Sequence, residues 1–191
     1  AFAKTAENTT VLNAAEVTRS GSTWEYEGEQ LWNPQSTYSF AAYGPSEACE
    51  AISGISHDWK SNRLTFDYNS DSGNQHDLVL AEKRTDGYQT ALDLDFRHLT
   101  SIVYFVFRSE EGSSITFNIN SLTVSGINTT ARFNGTSFEN HSTPGTYPMF
   151  AEEGAACTMD ADATSNEIYV IPQSLEEGEV VMHLDVNATD T

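Results

Sequence analysis

Between Leu92 and Phe107 the chain changes its hydrophobic code, and that change limits what it can fold into. Leu92, Leu94 and Phe96 alternate with Asp93 and Asp95, the period-2 pattern of a strand with one wet face. Ile102 to Phe107 is apolar at every position, as in a strand covered on both faces. The join Arg97-His98-Leu99-Thr100 is too short to carry a long crossover, so the chain passes here from one packed layer or domain into another. One face of the apolar half is expected in its own core and the other against a neighbouring domain or subunit.

Its 191 residues suffice for one large all-β domain or two small ones. Nine basic against 28 acidic residues leave a net charge of -19, which repels nucleic acid and anionic membrane surfaces and excludes both as partners. Aromatic residues at 11% and repeated strand patterns argue against general disorder. No run reaches the length of a membrane-spanning helix, and Ala1-Phe2-Ala3-Lys4 carries no signal-peptide pattern. Cys49 and Cys157 are too far apart in sequence for a close metal-binding pair; they form one long-range disulfide or, the preferred reading, two small buried hydrophobes.

Strands dominate the rest. Tyr38–Tyr43 and Leu64–Tyr68 alternate aromatic with small or polar residues, and Leu78–Ala81 is a short continuous apolar run. Ile115, Phe117 and Ile119 share one parity and Leu122 and Val124 the other, which requires a bulge near Asn120-Ser121. Ile168–Ile171 stops at Pro172, and Val180, Met182, Leu184 and Val186 then alternate with His183 and Asp185. Asn128–Ser165 reads as long loops with one short strand at most. The segment 176–179 reads as a hairpin turn, and Ser46 is placed to cap a short helix or turn.

Trp24, Leu31-Trp32-Asn33-Pro34, Tyr38–Pro45, Asp77–Ala81, Leu94–Val103 and Val170-Ile171-Pro172-Gln173 follow one another in an order that resembles the fimbrillin family, the Mfa-like and FimA-like fimbrial subunits of the Bacteroidetes surface. The likeness spans about residues 20 to 186 and rests on the shared order of six individually weak pieces. It implies an all-β chain of two transthyretin-like β-sandwich domains in tandem, 1–97 and 98–191, the first closing at Leu92–Phe96 and the second opening at His98. It also implies export to the cell surface and outer membrane within a fimbrium, and polymerisation with other fimbrial subunits by donation of a terminal strand into a neighbour's groove. The implied role is structural and adhesive, with no enzymatic activity and no cofactor, and with host or bacterial surface glycans or proteins as further partners. Against the family pattern, the chain starts without a lipid-anchored cysteine and stops at Thr191 without a closing Trp- and Tyr-containing strand. The first domain is therefore expected to lack its first strand and the second its last. Ile102, Tyr104 and Val106 on one segment and Val180, Met182 and Leu184 on the other are the candidates for strands bordering the groove or the domain interface.

Chemistry-bearing patterns compete poorly with this reading. Asp67, Asn69 and Asp71 are spaced like the start of a calcium loop, but Gly73 sits one place late and Leu78 stands where a bidentate glutamate is required, which favours a solvated turn. The five histidines show no zinc spacing, and His98 is expected to be packed and hydrogen-bonded at the domain junction. Asp93 and Asp95 lie side by side on one face and cannot flank a glycosidic bond. The serious alternative is a carbohydrate- or matrix-binding module in which Trp24, Trp32, Trp59, Tyr26, Tyr38 and Tyr43 form an exposed platform. The competing and preferred reading packs Trp24, Trp32, Tyr38 and Phe40 into the fold.

Overall fold

The computed structural model describes residues 1–28, 30, 32–71, 73–87, 91–110, 114–150, 155–157 and 162–190. Among them every regular element except a 3-10 helix at Ser46–Ala51 is a β-strand, so the chain is all-β. Two compact units divide it: residues 1–68, 76–99 and 132–139 form the first, and 69–75, 100–131 and 140–191 the second. The expected division at 97/98 does not separate 69–75 and 132–139, each of which groups with the unit on the far side of that cut.

The first unit contains β1 (Phe2–Thr5), β2 (Thr10–Leu12), β3 (Val17–Ser20), β4 (Thr23–Tyr26), β5 (Thr37–Gly44), β6 (Ile52–Asp58), most of β7 (Arg63–Asn69), β8 (Val79–Asp86) and β9 (Arg97–His98). One sheet runs in the order β2-β1-β5-β8-β9, and β6 pairs antiparallel with β7 in another. β5 is apolar on both faces because each is covered. Tyr43 lies on the face toward β7, its ring 6.4 Å from Phe66, and Tyr38 and Phe40 lie on the other, with Trp32 against them at 4.9 and 5.3 Å. The Tyr38 hydroxyl accepts from Asn33 N at 2.6 Å and donates to Asn33 O, which ties the Trp32 segment down. On β7, Leu64, Phe66 and Tyr68 alternate into the core, and Phe66 stacks on Phe133 at 5.1 Å.

Leu92–Phe96, expected as a closing strand, is not one. Leu92 and Leu94 are half-buried between exposed Asp93 and Asp95, but Phe96 is 50% exposed and only Arg97 and His98 pair with β8. The Asp93 carbonyl accepts from the Lys83 ammonium at 2.6 Å instead of from a neighbouring backbone N–H. Leu31, part of the patterns read above, lies outside the described residues.

The second unit holds β10 (Ser101–Val103), β11 (Val106–Phe107), β12 (Ile115–Phe133), β13 (Phe138–Pro148), β14 (Ala155–Cys157), β15 (Ala163–Thr164), β16 (Ile168–Val170) and β17 (Val181–Asp190), apart from the ends of β12 and β13 that belong to the first. β12 and β13 make a long hairpin across Asn134-Gly135, where the turn requires a positive φ and Gly135 supplies +94°. Most of this hairpin falls in the stretch read as loops. Its polar residues belong to the ladder: Thr129 and Thr130 donate to the carbonyls of Thr143 and Ser142, and Ser125 Oγ lies 3.1 Å from Thr146 Oγ1. The bulge near Asn120 is present, as a register shift between Ile119 and Ser121 in the pairing of β12 with β17. Segment 176–179 turns as expected but joins strands of two different sheets, so it closes no hairpin.

Two measurements check this packing. His57 is buried, with Nε2 3.2 Å from Asn62 Oδ1 and with no partner on Nδ1, and burial pushes its pKa below the ordinary 6.5. The unfolded chain then binds a proton that the folded one refuses, so stability is full above pH 6.5 and falls as the pH drops from there toward the lower folded value. Urea midpoints between pH 5 and 8 should show this limb, and His57→Gln should flatten it. A Cβ on Gly126 would sit 1.9 Å from the Glu179 carbonyl oxygen, and Gly126 has φ +98°. Gly126→Ala should therefore cost about 2–4 kcal/mol in chemical denaturation.

Candidate assembly surface

The functional candidates lie at one place in the second unit, around a small sheet that is apolar on both faces. β10 pairs antiparallel with β16, setting Ser101 opposite Val170 and Val103 opposite Ile168, and β11 pairs with β15. Between these ladders Ser165 brackets Phe105: its Oγ accepts from Phe105 N and its N–H donates to Phe105 O, both at 2.9 Å. The opposite edge of residues 101–106 borders no strand among the described residues.

Strand alternation separates the two faces. Val103, Phe105 and Phe107 pack against a core of Leu122, Val124, Ile127, Tyr147, Met149, Ile168 and Val170. Ile102, Tyr104 and Val106 point the other way and are 49%, 52% and 45% exposed. One face of this segment thus enters its own core, while the other is bare.

β17 carries the second half of the surface. Its register on β12 sets Met182 opposite Val124, Leu184 opposite Leu122 and Val186 opposite Ile119. Directly opposed residues share a face of the sheet, so this row lies on the core side. Ile119, Leu122 and Val124 are buried, yet Met182, Leu184 and Val186 are 44%, 42% and 39% exposed. The small sheet explains the difference. On its β15–β16 side Asn166 N donates to Met149 O, just past β13, at 2.7 Å, and Pro172 O lies 3.0 Å from Nε2 of His141 near the start of β13. β10 and β11 come next, and Val103, Phe105 and Phe107 pack on the core that Leu122 and Val124 of β12 help to form, a core that takes in none of Met182, Leu184 and Val186. Val180, just before β17, is half-buried against the core and is not part of the bare row.

The other candidates are dispersed. Asp67 is engaged by Arg132 Nη1 at 2.9 Å, whereas Asn69 and Asp71 bond each other and Asp71 Oδ1 accepts from Gly73 N; Ser72 lies outside the described residues. No group of three potential metal ligands occurs among the described residues. His98 is exposed, with Nδ1 2.8 Å from Asp77 Oδ1, so it is hydrogen-bonded as expected but not packed. Cys49 is a free and exposed thiol, not the buried hydrophobe expected. The aromatic platform breaks up: Tyr38 is buried, Trp32 covers it edge-on at 75°, and Trp24, 68% exposed on the β3–β4 hairpin, stands apart. Trp24 is therefore not the packing residue expected. No helix among the described residues is long and apolar enough to cross a membrane.

A family model described as fimbrillin-like matches residues 1–191. The chain belongs to the fimbrillin-like family. Among solved structures, this fimbrillin-like chain is similar to a candidate cell adhesion protein from Bacteroides ovatus, with a TM-score of 0.51 and 14% identity over 91% of this chain. At that identity the likeness concerns the fold alone, and the chain spans 62% of that protein's length. No curated protein sequence matches. Membership of the fimbrillin-like family points to a structural role.

The uncovered row makes a direct prediction. Leu184→Ala should change stability by less than about 0.5 kcal/mol, as a surface position does, whereas Leu122→Ala directly across the ladder should cost about 2–5 kcal/mol. Paired urea titrations of the two variants measure the difference.

Proposed function

We propose that this protein is a structural subunit of a bacterial surface fimbria, built of β-sandwich domains in tandem, that assembles by strand complementation and mediates attachment. The observation that supports the reading is an open strand edge together with an exposed core-side row in the second unit. The edge of residues 101–106 away from β15 and β16 borders no strand among the described residues, and the core-side row Met182, Leu184 and Val186 is exposed. An extended segment from a neighbouring subunit fits this place. Its backbone would pair with the open edge, and its alternate side chains would cover the row. The outward face of Ile102, Tyr104 and Val106 then meets the body of the same neighbour. Each apolar side chain so buried is worth roughly 1.5–3 kcal/mol, and several together make a joint that does not exchange on the timescale of a filament. The partners are other fimbrial subunits, and the place is the exported cell-surface fimbrium.

Electron microscopy of the full gene product, expressed in its native background, tests this. Filaments are expected from the wild type. Met182→Glu/Leu184→Glu, which leaves an exposed strand exposed, should abolish them with the circular dichroism spectrum unchanged. Filaments that persist in the double variant rule this surface out as the joint.

A second reading rests on Trp24. Its exposed indole on a two-stranded hairpin, with Arg19 directly across the ladder, suits stacking against a sugar ring. A protein that stays monomeric yet binds glycans on an array, and loses that binding with Trp24→Ala, would favour this adhesin module over the polymer.

A further inference from the structure

β17 has a feature that the vacant groove does not use, namely its own free edge. It pairs with β12 on one side and with no other strand among the described residues, and the described side chains from Val181 to Thr189 are exposed. A long exposed strand edge with apolar side chains is a template for pairing with another chain. The sequence of this strand specifies which chain.

We propose that two copies of this protein pair edge to edge through β17, antiparallel, about a two-fold axis at Leu184. In that register Leu184 meets Leu184 and Met182 meets Val186 on one face. On the other, His183 meets Asp185 twice, once on each side of the axis. Opposed residues must share a face, so any register with the axis between residues sets apolar side chains against polar ones. Moving the axis one residue back puts His183 opposite His183, and one residue forward puts Asp185 opposite Asp185, with like charges facing. The Leu184 register matches apolar with apolar and imidazole with carboxylate. Val181 and Asn187 close its ends as a neutral, mismatched pair.

Nothing on β17's own sheet competes for the polar pair. His183 faces Thr123 and Asp185 faces Ser121 across the β12 ladder, and neither neighbour is charged. The contact is isologous, so it closes at two copies. It is also small: a seven-residue ladder spans about 24 Å, which places the affinity in the micromolar range. This inference goes beyond strand complementation, which uses the edge of residues 101–106 and yields open chains.

Sedimentation velocity of the purified full chain at 0.15 M salt, from about 5 to 200 μM, tests it. The wild type should shift from monomer to dimer. His183→Asp and Asp185→His each place like groups opposite one another and should weaken the dimer by at least roughly tenfold. The swap His183→Asp/Asp185→His rebuilds the pair in reverse and should restore it. Circular dichroism confirms that each variant folds. A wild type that is monomeric at 200 μM overturns the pairing, and so does a swap no better than the single variants. A ladder of trimers and larger species indifferent to the swap also overturns it, and would be assigned to strand exchange.

Discussion

The bulge at Asn120 is the constraint on which the second unit depends. Because side chains alternate with period two, a strand without it would turn Leu122 and Val124 to solvent while Ile119 stayed inside. The extra residue brings all three onto one face, where they are buried. β17 copies that phase through its register, so Met182, Leu184 and Val186 lie on the core side. An apolar row made to face a core, but reached by only part of the opposing sheet, is the direct result.

The size of the bare surface matters against the stability of the whole. A domain of this size is stable by only about 0.05–0.15 kcal/mol per residue, while each apolar side chain covered contributes about 1.5–3 kcal/mol. Closing the sandwich over Met182, Leu184 and Val186 and against Ile102, Tyr104 and Val106 is thus comparable with folding itself. A net charge of -19 works the other way, resisting indiscriminate association. That balance suits an assembly whose joint is strong only where the strand registers match.

Elements whose hydrophobic period was plain were legible from the residues: the strands at Tyr38–Tyr43, Leu64–Tyr68 and Leu78–Ala81, the bulge at Asn120, and the two-faced segment 102–107. The β12–β13 hairpin was not, because Thr129, Thr130, Ser142 and Thr146 look like loop composition. Threonine is β-branched and suits a strand, and here its hydroxyl bonds across the ladder. Leu92–Phe96 failed in the opposite sense. Alternation does not report whether the backbone finds a partner, and here Phe96 is exposed and the Asp93 carbonyl accepts from the Lys83 ammonium. Of the surface itself, Ile102, Tyr104, Val106, Met182 and Leu184 were identifiable by period. That the row on β17 is core-side yet uncovered depends on where the β10–β16 ladder ends, which no local pattern encodes.

Symmetry separates the two contacts proposed for this strand. Strand donation joins unlike surfaces, so it repeats without closing and makes a fibre; pairing of β17 with itself joins like surfaces and stops at two. A chain carrying both would extend in one direction and pair sideways in another. The apolar row of β17 enters both proposed contacts, covered by a donated strand in the first and paired across the axis in the second, whereas His183 and Asp185 on its outer side bear on the second alone. Alternation of a single strand, apolar inward and polar outward, thus lets a substitution on the outer side separate the two.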